Sequence, residues 1–226
     1  MNTFRVLSAL LTYPTEDLVS AASLMKQTLR EEGILSGEEI TGLEPLLADL
    51  ASLDIYDLQA RYVELFDQYR ALSLHLFEHV HGESRDRGQA MVSLLERYRE
   101  AGLELCASEL PDFLPVFLEY LSQLPQEEAR AELAEAVAVV ATLARRLERR
   151  ASAYAPVLGA LERLAQATPR QADLDELASE EAQDEDNRRA LDQEWQEEPV
   201  DFSQREASFV SRQRARSLGA SLKKEQ

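Results

Sequence analysis

At 226 residues the chain has room for one medium domain, or one domain and a tail, and 45% apolar residues give it material for a core. A net charge of −18 argues against nucleic-acid binding, which wants clustered Lys and Arg; it suits a basic partner, though plain solubility accounts for it as well. The single cysteine, Cys106, rules out an internal disulfide and reads as a small buried hydrophobe. No signal peptide and no apolar run near the ~20 residues of a membrane span is visible, so a cytoplasmic protein without direct membrane insertion is expected.

Helical periodicity dominates, and few Gly and Pro interrupt it. Phe4, Leu7, Leu10 and Leu11 form a first stripe, closed by Tyr13-Pro14. Thr15 can cap a second helix, with Glu16 and Asp17 in its first turn and Gly33 at its end. Ser36 to Glu39 reads as a capping box opening a third. A fourth, Asp54 to about Tyr69, puts Leu58, Tyr62, Leu65, Phe66 and Tyr69 on one face. A helix from about Arg85 groups Met91, Leu94, Leu95 and Tyr98. Pro111 and Asp112 open the next, where Pro115 fits only within the first turn. Pro125 begins one long helix over about 127–150, striped by Leu133, Val137, Val140, Ala144 and Leu147. Its closing Arg145, Arg146, Arg149 and Arg150 need no more than charge complementing the helix C-terminus. A last helix covers about Tyr154 to Ala165.

Composition changes near Thr168-Pro169. Residues 171–201 hold 13 acidic and 2 basic residues, and residues 202–226 hold 6 basic and 2 acidic. Neither has a sustained apolar stripe, so 168–226 reads as an acidic then basic, largely disordered tail. One island, Leu191 to Phe202 with Trp195, has the look of a docking segment. The chain before it, up to Ala165, has 27 acidic and 15 basic residues, so the folded part is acidic in its own right.

All three histidines fall in "SLHLFEHVHGESRDRG", 73–88. His75 to His79 spells H-x-x-E-H, which on a helix would set both imidazoles on one face for zinc, with Glu78 as general base. Three fixed positions in a Glu-rich chain form a weak signal, a third ligand is unassigned, and no strand is available to align a substrate. Zinc-dependent hydrolysis is therefore the alternative reading. The preferred one is a recognition corner on a helical scaffold. Neighbouring Glu83/Arg85 and Asp86/Arg87 can lock the loop, and the remaining carboxylates can receive a partner's arginines. Tyr62, Phe66 and Tyr69 can floor an apolar groove for an amphipathic helix. They can equally be core beneath a solvated turn, and residue chemistry leaves both open.

"YVELFD" (62–67), the 73–92 run and "ELPDFLPVFLEYLS" (109–122) resemble the nitrate reductase molybdenum cofactor assembly chaperones, the NarJ family or nitrate reductase delta subunit. "LSALLTYPTEDL" (7–18) and "EWQEEPVDF" (194–202) are similar too. The run His79 to Gly88 is the most specific part, and the likeness extends to about residue 202. The resemblance implies an all-α, single helical-bundle domain of the TorD/DmsD/NarJ type, here over 1–167; composition adds the tail 168–226, whose island at 191–202 can dock back on the core or on another chain.

It further implies a cytoplasmic, non-enzymatic chaperone without a cofactor of its own. Such a protein would bind the catalytic alpha subunit of respiratory nitrate reductase, including its N-terminal peptide. It would assist insertion of the molybdenum cofactor before membrane docking, and molybdenum cofactor biosynthesis proteins are further partners it allows. Joined to the recognition corner read from the residues, this gives the expected client-binding set: Tyr62, Phe66, His75, Glu78, His79, His81, Glu83, Arg85, Asp86 and Arg87, with Gly82 and Gly88 as structural turns.

Overall fold

A computed structural model describes residues 1–80, 85–105 and 109–179, with the side chain of Arg85 excepted. His81, Gly82, Glu83, Cys106 and Trp195 thus lie outside the described residues. Among the described residues, ten α-helices precede a short helical stretch at 171–179: α1 (Asn2–Leu10), α2 (Glu16–Glu32), α3 (Gly37–Ser52), α4 (Ile55–Phe66), α5 (Leu76–Val80), α6 (Arg85–Glu100), α7 (Leu114–Gln123), α8 (Gln126–Glu135), α9 (Val137–Arg149) and α10 (Ala155–Ala165). A 3₁₀ turn, Arg70–Leu72, joins α4 to α5. The described chain is all-α, and its only extended pairing is a bridge between His75 and Phe113.

Local chemistry sets several boundaries as the sequence predicts. The Thr15 side chain accepts from the Leu18 amide, and Gly33 closes α2 in the left-handed region at φ 66°. Ser36 and Glu39 complete the capping box of α3. Pro115 sits in the first turn of α7, where its missing N–H costs nothing. Asp112 does not open that helix. It lies before Phe113, the N-cap, and is fully buried.

Two expected helices differ. The fourth ends at Phe66, leaving Tyr69 outside it, half-buried against the core with the Arg150 guanidinium 5.5 Å over its ring. The long helix expected over 127–150 breaks at Ala136 (φ −96°, ψ 2°) into α8 and α9. No Pro or Gly marks the break. The Ala136 amide turns to Leu133 O, one residue short of the α-helical partner, so the chain tightens into a 3₁₀-like step. The apolar stripe survives, because Leu133, Val137, Val140, Ala144 and Leu147 are all buried. The break lets α8 pack on α7 and α10 while α9 packs on α10, α5 and the 3₁₀ turn.

The core centres on α10, whose Val157, Leu158, Ala160 and Leu161 are wholly inaccessible and which touches α3, α8 and α9. On the other side, α1 packs between α2 and α7. Beyond α10, residues 171–179 are again helical, and Leu177 belongs to the core. The packed chain therefore continues past the boundary expected at 167. No described helix is long and apolar enough to cross a membrane.

Candidate functional site

Three stretches meet at the histidine corner: 66–80, the start of α6 just after it, and the more distant 109–113. The meeting depends on backbone pairing. Leu76 N donates to Asp112 O (2.9 Å) and Leu114 N to Leu74 O (2.8 Å). On α6, the Tyr98 hydroxyl donates to Pro111 O at 2.7 Å and holds the 109–113 segment from behind.

Asp112 is the hub. It is wholly inaccessible, so its charge has to be met by donors. His75 Nδ1 donates to Oδ1 at 3.1 Å, Phe77 N donates to Oδ2 at 3.3 Å, and Arg87 Nη2 stands 3.5 Å from Oδ2. The Phe77 contact makes Asp112 a remote cap for α5, supplied from 35 residues away. Arg87 Nη2 also donates to Glu78 Oε1 at 3.3 Å. Arg87 Nε is buried without a hydrogen-bond partner.

His79 is used differently. Its ring is buried, and Nε2 lies 2.8 Å from Ser73 O, a carbonyl that can only accept. The proton is therefore on Nε2. Burial pushes this imidazole below its ordinary value; the Ser73 bond opposes that, and the Arg146 guanidinium adds to it.

Two cavities open beside the corner. One, of about 540 Å³, is mostly polar and is lined by Asp67, Gln68, Arg70, His75, Glu78 and Arg87, with Phe66 and Ser73. The other, of about 640 Å³, is more apolar, with Tyr13, Leu18, Met25, Tyr62 and Phe113 in its wall. His75 and Asp67 line both. The His75 ring lies 5.2 Å from that of Phe113, so it forms part of the partition.

Several sequence expectations change here. His75 and His79 do not share a helix face, because His75 precedes α5 in the bridge to Phe113 and the two rings serve different partners. The H-x-x-E-H premise thus lacks its geometry. Among the described residues no group of three or more His, Cys, Asp or Glu could hold a metal ion. Arg87 does not pair with Asp86, which is exposed; its reach takes it to Glu78 and Asp112. Tyr62 and Phe66 are core aromatics first, tilted against each other at 4.9 Å and packed on Tyr154, with Tyr62 Oη donating to Leu11 O. Phe66 also lines the polar cavity and Tyr62 the more apolar one.

Gly88, expected at a turn, lies in the first turn of α6 with open space around its α-carbon. Nothing there requires glycine. Gly88→Ala is expected to raise stability by about 0.5–1 kcal/mol, read as a higher thermal midpoint.

The sequence reading overlooked Asp112, Arg70, Asp67 and Ser73 as site residues. An acid between Pro111 and Phe113, in a stretch otherwise apolar from Leu110 to Leu118, was the available signal.

The family described as nitrate reductase delta subunit matches residues 34–160. The nitrate reductase molybdenum cofactor assembly chaperone NarJ of Escherichia coli (strain K12) is 46% identical over 197 residues, covering 87% of this chain and 83% of that protein. The probable chaperone NarW of the same strain is 38% identical over 206 residues, covering 89% and 84%. The probable NarJ of Bacillus subtilis (strain 168) is 32% identical over 159 residues, covering 70% and 85%. The matched region takes in both the 70–80 and the 109–113 walls of the corner. The chain belongs to the nitrate reductase delta subunit family, that of the NarJ molybdenum cofactor assembly chaperones.

Proposed function

We propose that this chain is a cytoplasmic, client-specific chaperone and not an enzyme. It binds the catalytic alpha subunit of respiratory nitrate reductase, including its N-terminal segment. It keeps that subunit open for insertion of the molybdenum cofactor, holds no cofactor itself, and acts before the enzyme docks at the membrane. The observation that carries this reading is the 46% identity with NarJ across 87% of the chain.

The corner supports it physically. A client segment with both polar and apolar side chains can place them in adjoining cavities, separated by the half-buried His75. The excess of 42 acidic over 24 basic residues favours a basic segment and speeds its encounter. Of the proposed client-binding residues, Phe66, His75, Glu78 and Arg87 line the polar cavity, Tyr62 lines the more apolar one, and His79 acts from beneath through Ser73. Asp86 is exposed at the start of α6.

The test is co-expression of the catalytic subunit with and without this chain, followed by molybdenum analysis of the purified subunit. The expected result is a subunit poor in molybdenum when the chain is missing and restored when it returns. Equal molybdenum content in both preparations would sink the reading.

A further inference from the structure

Arg146 has a use that its place in the last turn of α9 does not explain. Its side chain is 2% exposed, so the guanidinium is not a surface charge complementing a helix end. Nη1 donates to Ala71 O at 2.6 Å and Nη2 to Leu177 O at 2.7 Å. One buried side chain thus ties the 3₁₀ turn to the helical stretch 171–179. A buried charge of this kind is tolerable only while its acceptors stay in place.

The turn it holds is a wall of the polar cavity, to which Arg70, Ser73 and His75 belong. Three carbonyls of the turn and the residues just after it are gripped: Ala71 O by Arg146, Ser73 O by His79, and Leu74 O by the Leu114 amide. The second and third grips come from within the corner. The first is shared with 171–179, where Leu174 and Leu177, three residues apart on one helical face, are both buried.

We propose that residues 171–179 are a strap that sets the shape of the polar cavity from outside it, with Arg146 as the positioning residue between strap and turn. With Leu177 seated, the guanidinium is covered and held on Ala71 O. With Leu177 lifted, water reaches the guanidinium, Ala71 O loses its donor, and the wall from Arg70 to His75 loosens. The client-binding unit therefore includes the start of what composition marks as tail. The consequence for the client rests on the chaperone reading above; the mechanical coupling does not.

The experiment uses the full chain with three variants. Leu174→Asp together with Leu177→Asp lifts the strap and touches no cavity-lining residue. Arg146→Met removes the hydrogen bonds to Ala71 O and Leu177 O at similar volume, and Arg146→Lys keeps the charge and can keep one of the two. Amide hydrogen exchange is read in the free protein, and affinity is read with a synthetic N-terminal peptide of the nitrate reductase catalytic subunit. The Leu72 and Ser73 amides, bonded within the turn to Tyr69 O and Arg70 O, are expected to exchange about tenfold faster in the strap and Arg146→Met variants. Exchange at Leu158 in α10 stays unchanged, peptide affinity falls by a similar factor, and Arg146→Lys recovers part of both.

Freed amides at 174–177 with wild-type exchange at Leu72 and Ser73 would overturn the coupling. So would faster exchange in the turn with undiminished peptide affinity. If the double aspartate variant does not fold, Leu177→Ala is read by the same criteria. A wild-type chain that ignores the peptide would count against the chaperone reading alone, because the exchange measurement stands without the client.

Discussion

Replacing Asp112 by alanine is expected to cost about 2–4 kcal/mol of stability, and to abolish ordered packing at the corner before the rest of the domain melts. The carboxylate is wholly inaccessible and takes contacts from His75, Phe77 N and Arg87. Removing it leaves Phe77 N without its acceptor and the Arg87 guanidinium facing a small cavity. Arg87 is partly solvated and keeps Glu78, which holds the loss below that of a fully buried broken pair. Asp112→Asn should cost roughly half as much, because one oxygen remains to accept. Urea unfolding of the two variants measures this. A loss below about 0.5 kcal/mol for the alanine variant would mean that the hub is not structural. Client-peptide affinity should fall with corner order, since both cavities meet at His75.

The second large effect is a dependence of stability on pH that begins just below neutrality. His79 is buried and neutral, and burial sets its folded pKa below the ordinary value of about 6.5. Above that value the folded and unfolded chains both hold the neutral ring, and stability is full. As pH falls through it, the unfolded chain takes up a proton that the folded one resists, so stability declines by up to about 1.4 kcal/mol per pH unit until the folded pKa is reached. Glu78 eases protonation, while Arg146 and Arg70 oppose it. The depressed carboxylates Glu32 and Glu39 lose their contribution only at lower pH, near the ordinary carboxylate range and beneath it. His79→Gln can still donate to Ser73 O and does not titrate. Its unfolding free energy should stay flat between about pH 6.5 and 5, where the wild type falls. Parallel slopes for the two proteins would refute the assignment.

Much of the fold was written locally. Thr15, the Ser36/Glu39 box, Gly33 and Pro115 each act within a turn of their own position, through hydrogen bonds or backbone freedom that neighbouring residues complete. The stripe from Leu133 to Leu147 named the buried face correctly even though the helix carrying it is broken. The motifs that mark the family are also linear, which is why the delta-subunit likeness could be seen before any geometry.

What the sequence left undecided involves partners far away along the chain. Ala136 looks like any helical alanine; the break there goes with α8 packing on α7 and α9 on the 3₁₀ turn, the latter far away along the chain. His75 and His79 sit at helical spacing, yet the bridge to Phe113 takes His75 out of the helix. Asp112 reads as the opening of α7 until the 70–80 segment is laid beside it. Arg146 reads as a surface cap until Leu177, 31 residues on, covers it. By itself the sequence determined the all-α class, the caps, the buried stripes and the family, because those depend on near neighbours or on motifs. The tertiary structure alone decided which polar groups are buried together. Burial makes a charge seek whatever donor or acceptor folding brings within reach, and sequence spacing does not encode that distance.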